Sequence, residues 1–233
     1  NPPLTISYLG FKFYDSALDI TPPVASTTAT DASGFGSYPI TLSGGSADNY
    51  NLILTDGILN ISKATVSVTA ENKTKVYGQA NPPFTFTYSG LMAWDNSSVI
   101  SDPSATTTAT NLSGVGQYPI ELSGGSASNY DLLLNNGTLE ITPKALTATA
   151  DNITRVYKTA NPTLTISYSG FENGDNPGSI VQPSASTTAT TTSNIGVYPI
   201  VLNGGSAANY SITKVNGTLT IIKATVICKA DDK

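Results

Sequence analysis

The sequence has no histidine and a single cysteine, Cys228. Lack of histidine removes the usual base for chemistry near neutral pH. One cysteine allows no intramolecular disulfide, and no Cys/His set has zinc spacing. Charged residues make up only 12% of the 233 residues, about half the usual share. The formal net charge is −5 and the pI about 4.5, the wrong sign for nucleic acid, which needs a basic stripe. No stretch of 18 apolar residues is present, so no membrane insertion is expected. There is no serine in a nucleophile elbow, no recurring carboxylate pair and no phosphate-binding glycine loop. The expectation is a chain without catalytic residues or cofactors.

What fills the sequence instead is repetition. Asn1-Pro2-Pro3-Leu4-Thr5-Ile6-Ser7-Tyr8 returns as Asn81-Pro82-Pro83-Phe84-Thr85-Phe86-Thr87-Tyr88, and again from Asn161 to Tyr168. Gly36-Ser37-Tyr38-Pro39-Ile40 returns at 116–120 and 196–200, and Asn49-Tyr50 at 129–130 and 209–210. A fixed spacing of 80 residues over the whole chain is the mark of a tandem array. An array multiplies a spacer or a weak surface rather than building one reaction centre.

Within each copy the pattern is that of strands. Val66, Val68 and Ala70 alternate with Thr65, Ser67 and Thr69, as do Phe84, Phe86, Tyr88 and Tyr118, Ile120, Leu122 with their polar neighbours. Gly124-Gly125 marks a turn. Asn136-Gly137 predicts a hairpin, with Asp56-Gly57 and Asn216-Gly217 at the same place in the other copies. The Thr-rich run 105–110 behind Pro103 predicts an edge strand. Helix is confined to one turn after Asp15, Asp95 or Asp175, whose short side chains suit a cap. The expected fold is all-β: small modules of six or seven strands, sandwich-like or β-grasp-like, placed end to end.

Lys63-Ala64, Lys144-Ala145 and Lys223-Ala224 suggest boundaries, with Pro143 as an extra residue. The domains are then 1–62, 63–142, 143–222 and 223–233. In this phase the first lacks its opening strand and the last is the opening strand of a fourth copy. The chain starts without Met and inside a repeat, which suggests a piece of a longer protein with any export signal or anchor elsewhere. No Gly/Ser-rich linker separates the copies, so a stiff rod is expected. An incomplete sheet invites another strand. Adjacent repeats are therefore the first partners, and head-to-tail self-association through 223–233 the second.

Lys75-Val76-Tyr77-Gly78-Gln79-Ala80-Asn81-Pro82-Pro83, Tyr88-Ser89-Gly90, Gly116-Gln117-Tyr118-Pro119-Ile120, Asn129-Tyr130 and Asn136-Gly137-Thr138-Leu139 together resemble the MBG domain family, YGX type. That family occurs in tandem in very large bacterial surface proteins. The resemblance implies an extracellular, cell-surface, adhesin-like setting and carries no catalytic residues. The third copy departs from it at Arg155-Val156-Tyr157-Lys158-Thr159, where Lys158 replaces the glycine. This suggests that a positive φ is not required there.

Nine tyrosines at three recurring places (8, 88, 168; 38, 118, 198; 50, 130, 210) sit on apolar faces and read as core, with hydroxyls reaching backbone at sheet corners. The segments after Gly10, Gly90 and Gly170 vary within a fixed frame, which is where recognition residues sit. Phe11, Phe13, Tyr14, Met92 and Trp94 are the candidates for binding a glycan or a host protein. Asp175, Glu172 and Asn173 are the weak candidates for calcium, and a cap or turn is the favoured role of the aspartates. Cys228 falls where Val68 sits and reads as a small apolar residue. The function expected is that of a rigid spacer, with multivalent binding by the variable loops as the alternative.

Overall fold

A computed structural model of the chain describes residues 1–231. Regular helix is limited to three single 3₁₀ turns among these residues. The first repeat contributes β1 (Val24–Thr27), β2 (Gly36–Ser43) and β3 (Gly57–Ile61). The second contributes β4 (Ala64–Ala70), β5 (Lys73–Val76), β6 (Phe86–Ser89), the short β7 (Ile100–Ser101), β8 (Ser104–Thr106), β9 (Gly116–Ser123), the short β10 (Ser126–Ala127), β11 (Tyr130–Asn135) and β12 (Gly137–Thr142). The third contributes β13 (Lys144–Ala150), β14 (Ile153–Val156), β15 (Ile166–Ser169), β16 (Ser184–Thr187), β17 (Gly196–Asn203), β18 (Tyr210–Val215) and β19 (Gly217–Ile222).

The third repeat shows how the pattern becomes a core. One sheet has the order β15-β13-β18 and the other β14-β19-β17-β16. The opening strand β13 is central in its sheet. It runs antiparallel to β15 and parallel to β18. Ala148 and Ala150 from β13 meet Ile200 and Leu202 from β17 and Leu219 and Ile221 from β19 in one buried cluster. Two alternating faces thus close on each other as a sandwich. Each fully buried Leu or Ile in it contributes about 1.5–3 kcal/mol.

The second repeat forms the same two sheets, β11-β4-β6 and β5-β12-β9-β8. The chain clusters into two compact units, and these sheets fall one in each. The first unit holds Asn1–Thr69, Phe86–Ser104 and Leu122–Asn135, and the second holds Ala70–Thr85, Ala105–Glu121 and 136 onward. In the first unit Val66 and Val68 from β4 pack with Ile100 and Tyr130. In the second, Ile120, Leu139 and Ile141 are buried. The strand 104–106 lies at a sheet edge, where the Thr-rich run was expected.

Asn136-Gly137 is not a hairpin. β11 and β12 lie in different sheets and pair in parallel with β4 and β5 respectively. The dipeptide therefore carries the chain from one sheet to the other. Gly137 has no left-handed φ. It is glycine because an added Cβ would stand 2.6 Å from the carbonyl oxygen of Ala70. Gly217 meets the Ala150 carbonyl in the same way.

Nor is the spacing broken at Pro143. Ala64 pairs with Tyr130, and Lys144 pairs with Tyr210. Both positions shift by the same 80 residues, so Lys144 stands in the place of Ala64 rather than of Lys63.

The first repeat differs from the others. Segments 4–8 and 50–55, matching β6 and β11, carry no strand. In the second and third repeats the matching segments pair with the opening strand, β4 or β13. Residues 223–231, which include the sequence equivalent of β4, are irregular and exposed. Asp232 and Lys233 of that segment lie outside the described residues.

Candidate functional site

Two kinds of place merit attention: the contacts between successive repeats and the variable turns.

Between the second and third repeats the contacts are specific. The Asn209 side-chain oxygen accepts the backbone N–H of Val115 at 2.9 Å. Within the third repeat, the Asn209 carbonyl accepts the N–H of Lys144 at 3.0 Å. The Tyr77 hydroxyl donates to the Asp175 carboxylate at 3.0 Å, and the Tyr210 hydroxyl donates to the same oxygen at 2.6 Å. The two tyrosine rings meet edge to face, 5.4 Å apart. The Asn173 side-chain amide donates across to the carbonyl of Asn111, while Lys144 forms an ion pair with Glu172 within the third repeat.

These bonds shift the acids involved. The Tyr210 hydrogen bond holds the Asp175 carboxyl below its ordinary value, with Tyr77 and Ser179 adding to the effect. Burial pushes the Tyr210 phenol up to about 12, helped by the Asp175 carboxylate.

Between the first and second repeats the same asparagine contact recurs. The Asn129 side chain accepts the N–H of Phe35 at 2.9 Å, while its carbonyl accepts the N–H of Ala64 within the second repeat. A Cβ on Gly34 would lie 2.6 Å from the Asn129 side-chain oxygen, so glycine is what lets the repeats approach. The Lys63 ammonium stands over the Phe35 ring and donates to the Ala127 carbonyl. The position equivalent to Tyr77 falls before residue 1, and Asp95 is held by Tyr130 of its own repeat.

The aspartates thus anchor tyrosines, as Asp15 also does for Tyr50. The 3₁₀ turns are capped at their N-termini by the residue next after each aspartate: Ser16, Asn96 and Asn176. Glu172, Asn173 and Asp175 go to three separate partners and do not converge as calcium ligands. No cluster of three or more metal-binding side chains occurs among the described residues.

A second feature escaped the sequence reading. Lys75 is only 4% exposed and has no carboxylate partner. Its ammonium donates to Gln79 O, Asn81 Oδ1 and Thr110 O at 2.7–3.0 Å. Desolvation lowers its pKa. Arg155 occupies the same place in the third repeat, donating to Asn161 Oδ1, Val156 O and Thr190 O. A buried cation that holds two backbone carbonyls and one asparagine side chain is thus a recurring part of the module. The recurrence of a cation 80 residues apart in so charge-poor a chain was the available signal.

The variable turns are closed by backbone bonds from Asp15 to Lys12, Asp95 to Met92 and Asp175 to Glu172. Tyr14 is fully exposed, as is Phe13, which holds a positive φ of 53°. Trp94 is 67% exposed and Met92 is also exposed. Phe11 is different: its ring packs edge-on against Tyr50 at 5.4 Å. The tyrosines at 38, 118 and 198 donate to carbonyls four residues back, at Gly34, Gly114 and Asn194. Among the described residues, surface depressions of about 460 Å³ lie beside Ile180 and Ser206 and of about 310 Å³ beside Lys63 and Leu132. None of the aromatic candidates lines either one.

Lys158 has φ +65°, so the left-handed conformation persists where glycine is lost. The expectation that it would not be needed is overturned. The turn 156–159 keeps its shape because Thr159 still bonds back to Val156, as Gln79 does to Val76.

The model of the MBG domain, YGX type, matches three times, over residues 1–60, 66–140 and 146–220. The chain belongs to the MBG domain family. No curated protein matches it. The glycine of the Tyr-Gly pair in this MBG array has a visible task at position 78. There φ is +88°, and an added Cβ would lie 2.9 Å from Glu172 of the next repeat. Its tyrosine reaches Asp175 in that same repeat. The Tyr-Gly motif is thus a contact between MBG modules.

Proposed function

We propose that these MBG repeats form a rigid spacer in an extracellular, cell-surface, adhesin-like bacterial protein. The observation that carries this reading is the recurrence of one contact, Asn129 with Phe35 and Asn209 with Val115, at both places where repeat follows repeat. β12 gives way to β13 after one residue, Pro143, so there is no slack for free rotation. The role is mechanical: neighbouring modules hold a fixed angle and project whatever they carry. Small-angle scattering of residues 1–233 tests it. A single elongated form is expected, and Asn209→Ala combined with Tyr77→Phe should broaden it. A compact particle, or a pairing variant with an unchanged profile, would refute the spacer.

Exposed Phe13, Tyr14 and Trp94 favour a second reading, weak binding of a glycan or host protein made strong by many copies. Glycan and host-protein arrays probed with the chain and with Tyr14→Ala and Trp94→Ala address it. Binding lost in the variants supports it, and equal binding removes these residues from the reading.

A further inference from the structure

The third repeat opens with one run of chain, β13 then β14, and closes with another, β18 then β19. The two runs pair with each other in parallel throughout. Six residue pairs, Lys144–Tyr210 to Thr149–Val215, lie in one sheet, and four, Ile153–Leu219 to Val156–Ile222, in the other. Where both runs change sheet, the Asn152 side-chain oxygen accepts the Thr218 backbone N–H at 2.8 Å and its hydroxyl at 3.0 Å. At the far end the Tyr157 N–H donates to Ile222 O at 2.9 Å. The second repeat pairs β4 with β11 and β5 with β12 in the same sense, and Asn72 accepts the Thr138 N–H at 2.8 Å.

We propose that each of these two repeats is a tension-bearing clamp, with the parallel pairing of its opening and closing runs as the latch. Tension along the chain enters the third repeat at Lys144, one residue after β12, and leaves it after Ile222. It draws the opening run toward its N-terminus and the closing run toward its C-terminus. For parallel strands these are opposite directions along one ladder, so the load is shear. The hydrogen bonds of both ladders are strained together, and none breaks far ahead of the rest. An antiparallel pair pulled from neighbouring ends opens instead one bond at a time. β17 and β19 form such a pair, with Gly196 beside Ile221 at the end where the chain leaves.

Side chains reinforce the latch. Leu146, Ala148 and Ala150 on β13 and Leu219 and Ile221 on β19 are buried, so sliding must drag apolar groups across a close-packed core. Gly217 lies against the Ala150 carbonyl, so the two runs touch where they switch sheets. Rupture under force is set by the unfolding rate rather than by equilibrium stability. Strand direction can therefore give strength under tension to a small module that has neither a large core nor a disulfide. The source of the load rests on the spacer reading, whereas the clamp follows from the chain path alone.

Single-molecule force spectroscopy tests this on the full chain carrying Cys228→Ser. Handles on Ser62→Cys and Lys223→Cys load both repeats along the chain. Each rupture should lengthen the tether by about 250 Å, the gain from unravelling one 80-residue repeat. Handles on Ile195→Cys and Lys223→Cys load β17 against β19 from neighbouring ends. At one loading rate the first direction should need several times the force of the second. Asn72→Ala with Asn152→Ala should lower the first force and leave the second unchanged. Equal forces in the two directions overturn the clamp. So does an asparagine variant that alters both forces alike, or neither. Equal forces with an elongated particle in scattering would remove the clamp and leave the spacer, and direction-dependent strength in a compact particle would do the reverse.

Discussion

The first and third repeats carry nearly the same residues at the same spacing, yet they differ in structure. Leu164, Ile166 and Tyr168 line the core of a seven-stranded sandwich, whereas Leu4, Ile6 and Tyr8 belong to no strand. Tyr210–Val215 is a strand, and 50–55 is not. The difference lies in a third segment, Lys144–Ala150, which pairs with both neighbours. In the third repeat the strand propensity of both flanks is realised by pairing with that central strand. The four-stranded sheet is less affected, since β1, β2 and β3 of the first repeat keep their mutual register.

The harshest way to break the comparison is to make the third repeat resemble the first. Leu146 is fully buried on β13, and Leu146→Asp places a carboxylate with no partner in the core. The expected cost exceeds ~4 kcal/mol, against a total of about 4–12 kcal/mol for a module of this size. Amide exchange in 166–169 and 210–215 should rise to the level of 4–8 and 50–55. Persistent protection there would show that the central strand does not organise its neighbours.

The buried cations sharpen the comparison between the second and third repeats. Removing the guanidinium in Arg155→Ala leaves Asn161 Oδ1, Val156 O and Thr190 O without their donor, at an expected cost of about 2–4 kcal/mol in urea unfolding. Lys75→Arg should cost under ~1 kcal/mol, because the fold already accommodates arginine at that place. A large loss in Lys75→Arg would mean that the two sites are built differently.

Much of the module was legible in the sequence, and what was missed has a common cause. Alternation located the strands because each has one buried face, and the tyrosines at 38, 118 and 198 bond locally, four residues back. Asn136-Gly137 misled because a glycine demanded by a crowded carbonyl looks the same in sequence as one demanded by a turn. The aspartates were read as caps from their short side chains, but the capping residue is the next one along, and the aspartate serves a tyrosine 35 residues away. Lys75 sits in a Lys-Thr-Lys stretch that reads as solvated surface, and its three acceptors are set by loops up to 35 residues distant. Asn129 and Asn209 recur visibly, but their partners lie 94 residues away in the preceding repeat.

A gentler comparison sets the two places of repeat contact against each other. Tyr77→Phe removes the bond to Asp175 between the second and third repeats, with an expected loss of about 1–2 kcal/mol. Acid should weaken the same place. Asp175 has a folded pKa below its ordinary 3.8, so its contribution is present above that value and fades as the pH falls through the lowered one. Tyr210, raised to about 12 from 10.0, acts at the other extreme. Its contribution is complete below pH 10 and is lost as the pH climbs to about 12. Titrating unfolding in the native chain and in Asp175→Asn should show that the acid limb flattens in the variant. An unchanged limb would place the sensitive carboxylate elsewhere.

The smallest effects separate two demands on one glycine. Position 78 needs a left-handed backbone and also clearance from Glu172, whereas at Lys158 only the first demand is visible. Gly78→Ala should therefore cost about 1–2 kcal/mol for the left-handed backbone, and more for the Cβ that would stand 2.9 Å from Glu172. Lys158→Gly relieves a similar backbone strain, but it frees the unfolded chain and removes an ammonium lying 5.2 Å from the Tyr157 ring centre. These contributions nearly cancel, and thermal unfolding should move by no more than the equivalent of ~0.5 kcal/mol. If Gly78→Ala proved as mild as Lys158→Gly, contact with the next repeat would not be what keeps position 78 a glycine. The Tyr-Gly pair would then be a turn signal alone.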